Sequence, residues 1–150
     1  MGRTADSIRV LHVDDERSFG ELTAKFLASE DDRLEVVSVT SVRAGLDVLD
    51  TERVDCVVSD YEMPGANGLV FLETVRERDE EIPFVMFTGR SDEDAASEAA
   101  DAGVTDYLRK TGTVEQYAAL ADRIAEAVTV RRDRRRASGG ERRPGQSSSS

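Results

Sequence analysis

The sequence predicts an α/β fold: a doubly wound parallel sheet with helices on both faces. Three observations predict it. Five short apolar runs, at 8–13, 34–39, 54–59, 83–87 and 104–109, recur along the 150 residues. Between them apolar residues return at a spacing of three or four, the period of a helix packed on one side. The runs are apolar on both faces, as expected of strands covered on each side by helices.

The first run, IRVLHV (8–13), is β-branched and short, and Phe19, Leu22, Phe26 and Leu27 then recur at helical spacing. LEVVSV (34–39) is the second strand, followed by a helix marked by Val42, Leu46 and Leu49. VDCVVS (54–59) is the third, and GLVFLETVRER (68–78) brings Leu69, Leu72 and Val75 onto one helix face. PFVMF (83–87) is the fourth, with Pro83 at its first position, where a missing N–H does least harm. An Ala-rich, weakly amphipathic segment over 92–102 is the fourth helix. VTDYLR (104–109) is the fifth strand, and Val114, Tyr117, Leu120, Ile124 and Val128 form the stripe of a final helix. From Arg131 the pattern stops. RRDRRRASGGERRPGQSSSS (131–150) reads as a disordered Arg/Gly/Ser-rich tail after a domain over 1–130, with an electrostatic arm as the other reading. Its twenty polar residues cannot bury a core, so a signal from this chain is expected to leave through protein contact.

Composition excludes several classes. Hydrophobic residues make up 39% and charged residues 34%, the balance of a globular chain. No apolar run approaches membrane-spanning length and the first residues lack a signal-peptide core, so a cytoplasmic address is expected. Cys56, the only cysteine, lies inside an apolar run and is expected in the core; no disulfide framework or cysteine metal cluster can form. The segment 131–150 holds seven Arg against Asp133 and Glu141, a net of +5, so the first 130 residues carry −16 of the total −11. Such a body repels nucleic acid, and no aromatic residue interleaves the tail arginines to stack on bases. With 18 Arg and two Lys the surface is also lysine-poor, and we expect a halophilic source.

In a parallel α/β sheet, ligands bind beyond the carboxyl ends of the strands. Strand one ends in Asp14-Asp15-Glu16, strand three in Asp60, strand four in Thr88 and strand five in Lys110, whereas strand two ends only in Thr40. Clustered carboxylates repel one another, and a hard divalent cation such as Mg²⁺ relieves them. A carboxylate beside such a metal can attack phosphorus, while a lysine and a hydroxyl neutralise the equatorial oxygens. Each residue alone has a plainer reading: an acid after a strand is often a helix cap, and a lone Thr or Lys there a solvated loop residue. Four strand ends yielding one complementary set is what singles them out. His12, Met63 and Met86 are expected to pack rather than react.

VDDE (13–16), SDYEMPGANG (59–68), FTGR (87–90) and DYLRK (106–110) together resemble the receiver domain of two-component response regulators, over about residues 8–130. The resemblance implies a flavodoxin-like (βα)5 sheet of strand order 2-1-3-4-5, with the chemotaxis regulators as its single-domain form. It implies that Asp60 accepts a phosphoryl group from a sensor histidine kinase or phosphotransfer protein. Mg²⁺ would be held by Asp14, Asp15, Asp60 and the backbone carbonyl of Glu62. Thr88 and Lys110 would bind the phosphoryl oxygens, Tyr107 would turn inward behind Thr88, and the face made by helix four, strand five and helix five would carry the signal. Glu62 and Arg90 would tune dephosphorylation and pair across the mouth of the site. Such a chain is no conventional enzyme, since it undergoes only self-phosphorylation and slow autodephosphorylation. One departure stands out: Thr111 follows Lys110 where the family commonly has a cis proline, and a trans bond is expected because a non-proline cis bond costs about 3 kcal/mol. Two other classes remain at this stage, a phosphorylation-independent binding module and a Mg²⁺-dependent phosphohydrolase with an Asp nucleophile. The latter typically carries its nucleophile after strand one, not strand three.

Overall fold

The computed structural model describes residues 7–65, 67–90 and 92–141, the last four of these by backbone only. Five strands and five helices alternate: β1 (Ile8–Val13), α1 (Arg17–Glu30), β2 (Leu34–Val39), α2 (Val42–Thr51), β3 (Cys56–Ser59), α3 (Gly68–Arg78), β4 (Phe84–Thr88), α4 (Glu93–Asp101), β5 (Asp106–Arg109) and α5 (Glu115–Glu141). The strands form one sheet of order β2-β1-β3-β4-β5, every neighbouring pair parallel, as the sequence predicts.

Period-two alternation along the strands divides the core into two layers. Val10, Val58, Val85 and Phe87 face α1 and α5, where Leu27, Tyr117, Leu120 and Ile124 close over them. Leu11, Val13, Val57, Phe84 and Met86 face the other way, onto Phe71, Leu72 and Val75 of α3 and Ala95 and Ala99 of α4. The alanines of α4, Ala95 and Ala99, give it a small but fully buried contact, enough to seat a helix of short side chains. Cys56 is buried in the first layer, and burial pushes its thiol pKa up. His12 is buried beside Phe19, its Nδ1 3.0 Å from Ser38 Oγ, and burial lowers its pKa to about 4.

Helix starts follow local chemistry. Ser41 and Asn67 cap α2 and α3 by accepting the N–H groups of Ala44 and Val70, at 3.1 and 2.9 Å. Gly68 is required by a close crossing, since a Cβ there would lie 2.1 Å from the carbonyl oxygen of Asp60. Asn67 and Gly68 thus fold the chain back over the end of β3.

The structure departs from the expected elements in several places. β3 begins at Cys56 and β5 at Asp106, each two residues late. Val104 is used instead to close α4, its N–H donating to the Ala99 carbonyl at 3.0 Å. Leu22 and Val114, counted in apolar stripes, are exposed, and Val114 precedes α5. The largest departure is α5 itself, which continues through Glu141, so 131–141 is helix rather than disordered tail. Arg and Ala are good helix formers, and the continuation gains contacts. Arg131 Nη2 reaches Asp79 Oδ2 at 3.0 Å, and Arg132 Nη2 donates to the Ser7 carbonyl at 2.8 Å. The rest of the expected tail, 142–150, lies outside the described residues.

Candidate functional site

The carboxyl ends of β1, β3, β4 and β5 meet at one edge of the sheet. Asp14, Asp15 and Asp60 offer carboxylate oxygens that all lie within 4.8 Å of one another. Asp14 is buried, Asp60 partly so, and Asp15 is exposed toward the opening. The Lys110 ammonium is set between the two inner acids, with Nζ 2.8 Å from Asp14 Oδ2 and 3.0 Å from Asp60 Oδ2. Burial pulls the Lys110 pKa down, but the hydrogen bond to Asp14 and the charges of Asp14 and Asp60 outweigh it and hold the pKa above its ordinary value. The alkyl stem is guided by aromatic rings, Nζ lying 4.3 Å from the centre of Phe19 and 5.9 Å from that of Phe87.

The remaining oxygens of the acids are also held. Asp14 Oδ1 accepts the Glu16 N–H at 3.0 Å, and Asp60 Oδ1 accepts that of Tyr61 at 2.6 Å. This leaves three carboxylates facing one cation, and a hard divalent ion with oxygen ligands suits that donor set. The pocket is compatible with Mg²⁺. The Glu62 side chain is turned away to Arg90, 3.3 Å from Nη1, making the expected pair across the mouth.

Thr88 ends β4, between the strands ending in Asp60 and Lys110, and is buried. Its Oγ1 accepts the Arg90 N–H at 3.2 Å, and the Tyr107 hydroxyl donates to the Arg90 carbonyl at 2.8 Å. One backbone residue thus joins Thr88 to Tyr107. Tyr107 itself is half-buried. No peptide bond among the described residues is cis, so the bond from Lys110 to Thr111 is trans as expected, and Lys110 still meets both acids.

Three participants escaped the sequence. Phe19 reads there as one more apolar helix position, and Gln116, as a residue of the first turn of α5, gives no signal. Tyr61, next to Asp60, is buried; its hydroxyl donates to Glu98 Oε1 of α4 at 2.7 Å and Arg90 lies 4.8 Å over its ring. Burial, then the Glu98 carboxylate, pushes the Tyr61 pKa up to about 12.

Fold and site together define a doubly wound α/β protein with an acidic, cation-compatible pocket and a fixed lysine at the carboxyl ends of its strands. Residues 10–122 match the family model of the response regulator receiver domain, and the chain belongs to that family. Receiver domains are phosphoacceptors of two-component systems, served by histidine kinases and in general not enzymes themselves.

A DNA-binding transcriptional regulator NtrC from Klebsiella pneumoniae is 38% identical over 90 residues, covering 58% of this chain and 19% of its own length. A bacterioopsin transcriptional activator from Halobacterium salinarum is 37% identical over 99 residues, 66% of this chain and 14% of that protein. The chain therefore spans less than a quarter of these relatives. A solved response regulator receiver domain protein from Clostridium thermocellum superposes with a TM-score of 0.74 at 25% identity, covering 83% of this chain and 97% of that one. No helix among the described residues is long and apolar enough to cross a membrane.

Proposed function

We propose that Asp60 is the phosphoacceptor of a two-component phosphorelay, charged by a sensor histidine kinase or phosphotransfer protein in the cytoplasm. The observation that carries this reading is the shared lysine: Lys110 Nζ holds Asp60 and Asp14 at 3.0 and 2.8 Å while Asp15 stays open to solvent. An Asp60 carboxylate oxygen attacks phosphorus, and the bond from phosphorus to the donor nitrogen breaks as the aspartyl-phosphate forms. Lys110 gives up its contact with Asp60 to meet a phosphoryl oxygen. Asp14, Asp15, Asp60 and the Glu62 carbonyl are the groups that would hold Mg²⁺, which when bound neutralises charge on the transferring group.

The Thr88 hydroxyl turns from the Arg90 N–H to the same phosphoryl group. Arg90 then loses one of its two backbone ties, the Tyr107 hydroxyl loses its fixed acceptor, and the ring moves inward. The face of α4, β5 and α5 changes shape and so passes the signal to a downstream protein. Turnover is limited to self-phosphorylation and slow hydrolysis.

Peptide mapping after incubation with Mg²⁺ and acetyl phosphate tests the assignment. The adduct is expected on the peptide holding Asp60 and to be released by hydroxylamine; an adduct confined to Asp14 or Asp15 would overturn it. The acidic, lysine-poor body supports a halophilic source, in which case stability rises toward molar salt; full stability in dilute buffer would contradict that part.

A further inference from the structure

We propose that Gln116 is a positioning residue for Lys110, deepening the phosphoacceptor reading above. Lys110 is the last residue tied to the sheet, its N–H donating to the Thr88 carbonyl at 2.8 Å. The chain then leaves through Thr111, Gly112 and Thr113, all exposed, with Gly112 at a φ of +81°. A proline after the lysine would stiffen this exit covalently; Thr111 instead restores a free N–H and a softer backbone.

Gln116 takes up that freedom. Its side chain is 7% exposed, and its Oε1 accepts the Thr111 N–H at 3.0 Å and the Gly112 N–H at 3.4 Å. Two donors converging on one atom require it to be the amide oxygen rather than the nitrogen. The support behind Gln116 is rigid. The next residue, Tyr117, is buried, stacks on Phe26 at 5.2 Å between ring centres, and has its hydroxyl 3.2 Å from Thr23 Oγ1. Lys110 is thus gripped by Thr88 on one side and, through Thr111, by Gln116 on the other. Its side chain can reach the narrow position between Asp14 and Asp60 without searching for it, which is what a phosphoryl-binding ammonium needs.

The chain supplies its own control, since Lys25 is exposed and is the only other lysine. Competitive amine labelling followed by peptide mass analysis compares Lys110 with Lys25 in the full chain, in wild type, Gln116→Leu and Gln116→Glu. Circular dichroism checks that each variant is folded. Gln116→Leu removes the acceptor and is expected to raise the Lys110 to Lys25 labelling ratio about fivefold or more, whereas Gln116→Glu keeps an oxygen in place and restores the wild-type ratio. On the same samples, uptake from acetyl phosphate is expected to slow about tenfold in Gln116→Leu and to recover in Gln116→Glu, because small displacements of a catalytic group cost large factors in rate. An unchanged labelling ratio in a folded Gln116→Leu protein overturns the proposal, as does uptake that is measurable in wild type and equally fast in all three proteins. A raised ratio in Gln116→Leu together with no uptake by wild type upholds the grip on Lys110 and takes down the phosphoacceptor reading instead.

Discussion

The two ends of the sheet handle charge in opposite ways. At the amino-terminal end acids are set against arginines: Asp79 meets Arg131 at 3.0 Å, Asp55 meets Arg53 and Arg132 at 3.4 and 3.5 Å, and Glu52 meets Arg9 at 3.1 Å. At the carboxyl end Asp14, Asp15 and Asp60 crowd together, and the two inner acids, Asp14 and Asp60, share Lys110. The chain has 18 arginines, yet among the described residues none pairs with Asp14, Asp15 or Asp60. Surplus carboxylate charge costs stability, and under the proposed function it collects where a cation and a phosphoryl group would be received.

Breaking the carboxyl end should have the largest effect. Lys110→Met leaves Asp14, which is 2% exposed, with no cation beside it, and should cost about 3 kcal/mol in Mg²⁺-free urea denaturation. Added Mg²⁺ should recover part of that loss, because it enters the same acidic group. A loss below about 1 kcal/mol would mean that the acids are already relieved by solvent.

Asp60→Asn should act in the opposite direction. Taking one charge from the cluster should stabilise the metal-free fold by about 1 kcal/mol, an unusual sign for a change at a partly buried position. Destabilisation by a similar amount would show that Asp60 is there for its bond to Lys110 rather than despite its neighbours.

At the amino-terminal end the expected effect is ordinary. Arg131→Leu should cost about 1 kcal/mol near neutral pH with no dependence on Mg²⁺. Partial burial pushes the Asp79 carboxyl up, but the N–H groups of Glu81 and Ile82 and the Arg131 guanidinium outweigh it and hold it below the usual carboxylate range. A carboxyl with a lowered folded pKa stabilises the fold above its unfolded pKa of about 3.9, and that contribution is lost as pH falls through the lowered value. The gap between wild type and Arg131→Leu should therefore close in acid; a gap that stays constant to pH 2 would remove the ion pair from the account.

The smallest effect on stability belongs to the exposed Arg90–Glu62 pair at the site mouth. Glu62→Ala should leave the denaturation midpoint unchanged while altering the lifetime of the aspartyl-phosphate, followed by loss of the adduct mass over time. Unchanged decay in both Arg90→Ala and Glu62→Ala would show that the pair has no part in the chemistry.

The same contrast explains what could be read from the sequence. Asp60 and Lys110 could be singled out because they end two of the four strands whose carboxyl ends carry one complementary set of acids, a hydroxyl and an ammonium, and the structure brings the two within 3.0 Å. The parallel sheet followed from strands apolar on both faces, and its strand order from the resemblance to receiver domains. The arginines of the α5 extension were not legible, since composition treats an Arg-rich run as solvated and cannot see Asp79 and Ser7 waiting below it. Leu22 and Val114 misled for the converse reason, because periodicity counts apolar residues without knowing whether a partner element covers them. Tyr61 and Gln116 act through contacts to Glu98 and Thr111, which only the folded chain brings within reach.

Intact mass after incubation with acetyl phosphate, with and without Mg²⁺, in wild type beside Asp60→Asn, tests the central claim most directly. A single phosphoryl adduct that requires Mg²⁺ and is absent from Asp60→Asn is the predicted result. A folded wild-type protein that takes no phosphoryl group at low or high salt, or an adduct that survives in Asp60→Asn, would contradict the claim that the surplus charge at this end is held for phosphoryl transfer.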